Sequence, residues 1–392
     1  MRTLLLLPTA LLFHAASADE AAAPVNLCVE VYELQQAHAF SLQRILTEGT
    51  AAQRLRAMEV LRSNERPEGT RIIAIGQCAW KAGERGQFSS GRELIYPSLF
   101  DPSPDGIPIP SAFEMRLVGT RAEFELTRGE SPDALLLTSS VRTVELASRL
   151  ANPADDARQP VFVESEVTTT AELTTGVPRL LGMHAPHPDL RGANAVLRVV
   201  VATLVGAVAD TMPPPTSDAC IEVWELPQPA AATFKNLFEA APASERADVL
   251  NKLRTSATLI ACGHRALRPG LQSSAGSLKE YAHPKRFETS GAGVHIPTEF
   301  ETTKLGCQMP VTIKTEGMLV LQCGFKEIVR LSPAKDDTYS SDAQGDVVPA
   351  VFNRVDIRAD TKFEPRVPQM IGAYLPHPTG KNVRMIFATV FR

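Results

Sequence analysis

The residues with the spacing to do chemistry are few. His184-x-x-His187 is the histidine pair that could hold a metal, since two imidazoles three apart can converge on one ion. A zinc or similar site needs a third ligand at a recognisable spacing. None stands there, and Pro186-His187-Pro188 reads more simply as a rigid turn carrying a surface imidazole. Two acid pairs come next, Glu30 with Glu33 and Glu222 with Glu225. Three apart on extended segments, the members of each pair point to opposite faces, which removes them as cooperating acid and base and leaves solvated strand faces. Patterns for a serine nucleophile elbow, a His-Glu-x-x-His zinc helix, a phosphate loop or a dinucleotide loop do not occur. No catalytic residue, cofactor site or metal site is assigned, and an enzyme is not expected.

Six cysteines remain: Cys28, Cys78, Cys220, Cys262, Cys307 and Cys323. Cys28–Cys78, Cys220–Cys262 and Cys307–Cys323 are candidate disulfides out of fifteen connectivities. Their chemistry depends on compartment. Arg2, the apolar run from Leu4 to Phe13 and Ala16-Ser17-Ala18 have the order of a secretory signal, predicted over 1–18, which implies export to an oxidising periplasm or outer membrane.

The elements that must position these residues come in two copies. Pro110-Ser-Ala-Phe113-Glu114-Met-Arg-Leu-Val-Gly119 returns as Pro297-Thr-Glu-Phe300-Glu301-Thr-Thr-Lys-Leu-Gly306, displaced by 187 (297 minus 110). Glu93 to Pro97 returns as Glu280 to Pro284 at the same displacement. Cys28-Val-Glu-Val-Tyr-Glu-Leu34 returns as Cys220-Ile-Glu-Val-Trp-Glu-Leu226, displaced by 192 (220 minus 28). A five-residue surplus around Asn64 to Gly69 accounts for the difference. Each copy opens on a half-buried strand, continues in two short amphipathic helices, and then turns to β structure. Glu114 and Glu301 are expected to pair with Lys or Arg across a strand. The organisation predicted is a lead over 19–27, one module over 28–210, a Pro-rich linker over 211–219, and a second module over 220–392. The fold class is α+β and β-rich, each module a strand–helices–strands unit followed by a mainly antiparallel region.

A chain of 392 residues with 44% apolar and 21% charged residues can bury cores of ordinary size, and a net charge of −4 gives no footprint for nucleic acid.

The order of these pieces resembles the C-terminal module of bacterial secretins, the outer-membrane ring proteins of type II secretion and type IV pilus systems. Pro110 to Gly119 is similar to the family's Pro-Thr-Ala-Phe-Glu-Thr-Arg-x-Val-Gly, and Glu93 to Pro97 resembles the Glu-x-x-Tyr-Pro ahead of it. Val161 to Thr169 resembles the strand entering the family's glycine box. Asn194 to Thr203 and Asn382 to Thr389 resemble its final strand. The chain departs from the family in two places. Its glycine box is reduced to Gly176 through Gly182, and the region that carries gate and membrane-crossing hairpins is short. The resemblance implies an envelope protein with a structural or adaptor role, whose partners are copies of itself or a secretion or pilus component. Membrane association is left open. The rival expectation is a periplasmic ligand-binding or hydrolytic pair with a site between the modules.

Overall fold

The computed structural model describes residues 25–80, 83, 85–104, 108–128, 134–150, 159–187, 195–205, 217–289, 295–315, 319–330, 352–377 and 380–392. The predicted signal over 1–18 and the linker up to residue 216 lie outside them.

In chain order the elements are β1 (Val25–Gln35), α1 (Gln36–Glu48), α2 (Ala51–Arg62), β2 (Arg71–Trp80), β3 (Arg85–Pro102), β4 (Pro108–Arg128), β5 (Ala134–Leu150), β6 (Gln159–Thr174), β7 (Arg179–His184) and β8 (Val196–Val205). The second copy supplies β9 (Ser217–Pro227), α3 (Gln228–Ala240), α4 (Ala243–Ser256), β10 (Thr258–Leu267), β11 (Gln272–Thr289), β12 (His295–Thr315), β13 (Leu319–Arg330), β14 (Phe352–Lys362), β15 (Gln369–Tyr374) and β16 (Asn382–Phe391). The fold is β-rich α+β, as the alternating segments predict. β1 and β9 start earlier than the expected module boundaries, at Val25 and Ser217. Among the described residues no helix is long and apolar enough to cross a membrane.

Local signals explain the helices. Thr50 closes a capping box with Gln53 at the start of α2, satisfying two amides that the first turn leaves open. Pro229 stands in the first turn of α3, where a missing N–H costs nothing. The interrupted stripe Leu42, Leu46, Met58, Leu61 and its counterpart Phe238, Val249, Leu250, Leu253 pack on one face of the first sheet. That core also takes Tyr32, Leu180, Val199, Trp224 and Phe387, so it runs through both copies.

Two eight-stranded antiparallel sheets make up the rest. The first has the order β15-β16-β9-β10-β7-β8-β1-β2 and the second β11-β6-β5-β4-β3-β12-β13-β14, with β11 also paired to β12. Traced through that extra pairing, the second sheet reads β14-β13-β12-β11 and then β6-β5-β4-β3, and the far part of β3 also meets β12 at Leu99–Glu299. In both sheets the four strands of the second copy stand beside the four of the first, in the same order. The registers agree residue by residue. Cys28 faces Gln77 in β1–β2, as Cys220 faces His264 in β9–β10. Bulges fall at the same places, between Leu180 and Gly182 in β7 and between Met370 and Gly372 in β15. A second core between the sheets joins Val29, Val31, Phe124, Val141, Val167 and Val200. A third joins Ile221, Val223, Met309, Phe325 and Ile386.

The repeated glycine of the opening motif bends each long hairpin. Gly119 has φ +147° and Gly306 φ +127°, and a Cβ would lie 2.2 Å from the Ser90 oxygen at the first and 2.3 Å from the Ser277 oxygen at the second. Only glycine fits such a backbone at such a distance. Beyond this bend the β3–β4 hairpin crosses back over β6 and β11. The Tyr96 ring packs tilted on Phe162 at 5.4 Å, and the Arg116 guanidinium lies 4.6 Å above the same ring. The second copy repeats the motif, His283 meeting Phe352 at 5.7 Å.

Candidate functional site

The acid pairs are not solvated. Glu30 and Glu222 are buried on the helix side, where Arg62 of α2 holds the first through contacts of 2.9 and 2.5 Å. Arg254 of α4 holds the second in the same way, with Nε donating at 3.0 Å. Tyr32 and Trp224 add a hydrogen bond to each carboxylate, 2.8 and 3.0 Å. Burial, then the bond to Glu30, pushes the Tyr32 hydroxyl up. Glu33 and Glu225 point to the other face, as their spacing predicts, and meet an arginine of the last strand. Arg198 bonds Glu33 of β1, Glu145 of β5 and Ser165 of β6 at 3.1, 2.9 and 2.9 Å. Arg384 bonds Glu225 at 2.7 Å and also Glu327 of β13, which accepts from Tyr374 at 2.6 Å. Glu30 and Glu222 thus clamp the helices to the first sheet, and Glu33 and Glu225 belong to clamps between the two sheets, each carboxylate held by several donors.

Glu114 accepts from Tyr96 at 2.9 Å instead of pairing with a cation, and the exposed Glu301 faces His283 in the ladder. Pro97 and Phe113 oppose each other in β3–β4, and Pro284 faces Phe300 in β11–β12. Pro110 pairs with Phe100. His184 is fully buried, its pKa lowered to about 3 by burial and then by Arg198. Among the described residues no group of three potential ligands could hold a metal.

None of the six cysteines is joined in a disulfide. Cys28 faces Gln77 while Cys78 faces Leu27, so the two stand on opposite faces of the sheet and that bridge has no route without backbone movement. Cys307 pairs with Glu327 and Cys323 with Val311, four positions apart along β12. At about 3.4 Å per residue that is about 14 Å, beyond disulfide reach. Cys220 and Cys262 share a face, their sulfurs 3.9 Å apart.

What the fold does assemble is a junction, and the residues that build it escape local sequence patterns. In the first sheet β10 pairs with β7 through Gly263–His184, His264–Met183 and Arg265–Gly182. In the second, β11 pairs with β6 from Ser274–Thr168 to Lys279–Val163. Gly182 is required there, because a Cβ would strike Val167 at 2.4 Å and the His264 carbonyl oxygen at 3.0 Å. A buried ion pair crosses the junction, Arg179 of β7 donating to Asp218 of β9 at 3.0 Å, with His264 at 3.7 Å. Burial alone would raise the Asp218 pKa, but Arg179 and His264 outweigh it and hold the carboxyl below its usual value. A second network spans the junction outside the first sheet. Arg116 bonds Glu280 at 2.8 Å and Glu164 at 3.3 Å, and Lys304 reaches both carboxylates. This network contains Glu280, one of the repeat-defining residues.

Each junction strand has a twin at the end of a sheet. β2 is the twin of β10 and β15 the twin of β7, and among the described residues neither has a strand partner on its outer side. Burial follows pairing. Leu259 and Cys262 are 2% and 0% exposed, while Ile72 and Ile75 at the same positions of β2 are 43% and 52% exposed. β7 is buried throughout and β15 is mostly half-buried. No protein-family model, curated protein or solved structure matches the chain.

Proposed function

We propose that this chain is an exported, non-enzymatic protein of the cell envelope with a structural or adaptor role, working by pairing its sheet edges with a secretion or pilus assembly or with copies of itself. The observation that carries this reading is the contrast between twin strands. The sequence that is buried as β10 and β7 is open as β2 and β15. Unpaired N–H and C=O groups flanked by exposed isoleucines are a template for strand addition. The secretory pattern at the start of the chain and the resemblance of its order of motifs to secretin modules supply the compartment and the kind of assembly.

The test is the native mass of the chain in an envelope extract. The reading expects migration in a large assembly, released to a single-chain mass by Ile75→Lys on the open face of β2. A wild-type chain at single-chain mass in the extract would overturn it.

A further inference from the structure

We infer that the partner of these edges is a second copy of this chain, joined head to tail in the register that β10–β7 and β11–β6 already realise. This rests on the edge-pairing reading and names its partner. The two copies within the chain are related by one operation, which among the described residues leaves β2 and the Gln87–Arg92 stretch of β3 open at one end, the far part of β3 meeting β12 at Leu99–Glu299, and β15 and β14 open at the other. Applying it once more brings β2 against β15 and β3 against β14 of the next molecule. Gly76 would then face Tyr374 and Cys78 face Gly372, in place of Gly263–His184 and Arg265–Gly182. Gln87 to Arg92 of β3 would face Arg358 to Asn353 of β14, in place of Ser274–Thr168 to Lys279–Val163. The equivalence of β14 with β6 is fixed by the ladders, since Gly306 pairs with Ile328 and Ile328 with Arg354, as Gly119 pairs with Val144 and Val144 with Glu164.

Three observations favour a second copy over an unrelated strand. Gly372 keeps the glycine of Gly182, although in its own copy the atoms nearest to a Cβ belong to the side chains of Ile357 and Ile386. At Gly182 the additional close neighbour is a carbonyl oxygen from across the junction. Secondly, the charges change on both sides together. The internal junction sets Glu280 and Glu164 on Arg116. At the chain's ends the corresponding residues are Glu93, Arg354 and Thr303, so the cation has moved to β14 and again meets a glutamate. Glu93 and Arg354 are both exposed. Thirdly, the buried Arg179–Asp218 pair corresponds to Gln369 and Asn26, so both charges are replaced by neutral amides together. An unrelated partner would impose none of these matched substitutions.

The experiment uses the purified mature chain alone, with sedimentation across a concentration series. Wild type is expected to self-associate. Glu93→Arg and Arg354→Glu each set like charges together and weaken association at least about tenfold. The double variant, carrying both, restores it to within a few-fold. Both side chains are exposed, so each single variant keeps the wild-type melting temperature, which is measured alongside. A double variant no better than the singles overturns the inference. So does a purified wild type that stays at single-chain mass; if the envelope extract still holds it in a large assembly, the edges serve another partner and the edge-pairing reading stands. Single-chain mass in both settings defeats the reading itself.

Discussion

At the scale of the residue, the carboxylates that looked most like chemistry are the most firmly tied down. Arg198 spans the layer between the sheets and satisfies Glu33 and Glu145 at once. Removing it takes from buried Glu33 its buried partner and leaves only the exposed Arg71 at 3.0 Å, and breaking a buried pair costs about 3–5 kcal/mol. Arg198→Ala is therefore expected to lower stability by about that much in urea denaturation, whereas Arg56→Ala, which removes an exposed pair on α2, changes it by less than about 0.5 kcal/mol. His184 gives a signature in pH. Its folded pKa, about 3, lies below the ordinary 6.5, so between those values the unfolded chain binds a proton that the fold excludes. Stability then falls as pH drops from 6.5 towards 3, by about 1.4 kcal/mol per unit within the window. His184→Gln should flatten this slope, read from melts at pH 4 to 7. His264, whose pKa is raised by Asp218 and Cys220 against the effect of burial, acts in a different window. Its contribution is complete below 6.5 and is lost as pH rises through its folded pKa.

At the scale of the element, the bend at Gly119 decides where the β3–β4 hairpin goes. Any side chain there meets the Ser90 carbonyl oxygen and an unfavourable φ together. Gly119→Ala is expected to cost about 1–3 kcal/mol, and to speed hydrogen exchange in β3 and β4 beyond the bend while leaving β8 protected. The alternation of apolar and polar residues made most strands readable, and the capping box and Pro229 made the helices readable. Glu30 and Glu33 show where local reading ends. Their spacing fixes which faces they point to, and both do point there, but their arginines lie 32 positions away at Arg62 and 165 away at Arg198. Nothing local announces a long-range partner, so a buried clamp and a solvated acid look alike in sequence. The cysteines illustrate the same limit. Only register reveals that Cys28 and Cys78 occupy opposite faces.

At the scale of the whole molecule, the duplication legible in the displacements of 187 and 192 says nothing about how the copies meet. Their contact depends on strand edges, and a strand carries no local mark of whether its edge will be paired. Here the copies continue each other's sheets and share the helix-side core. An interface of this head-to-tail kind closes into a ring when its rotation divides a full turn, and otherwise runs on as a filament. Either form would hide Ile72 and Ile75.

The most direct test of that continuation is its register. Ser90 and Val355 correspond to Ser277 and Ser165, which oppose each other at the internal junction. Facing residues in an antiparallel ladder stand about 4.5–5.5 Å apart at Cα, within disulfide range. Mild oxidation of a chain carrying Ser90→Cys and Val355→Cys should yield a ladder of covalent multimers. Moving the first cysteine one residue, with Ser89→Cys and Val355→Cys, should abolish it. Equal cross-linking in both variants, or none in either, would contradict the account.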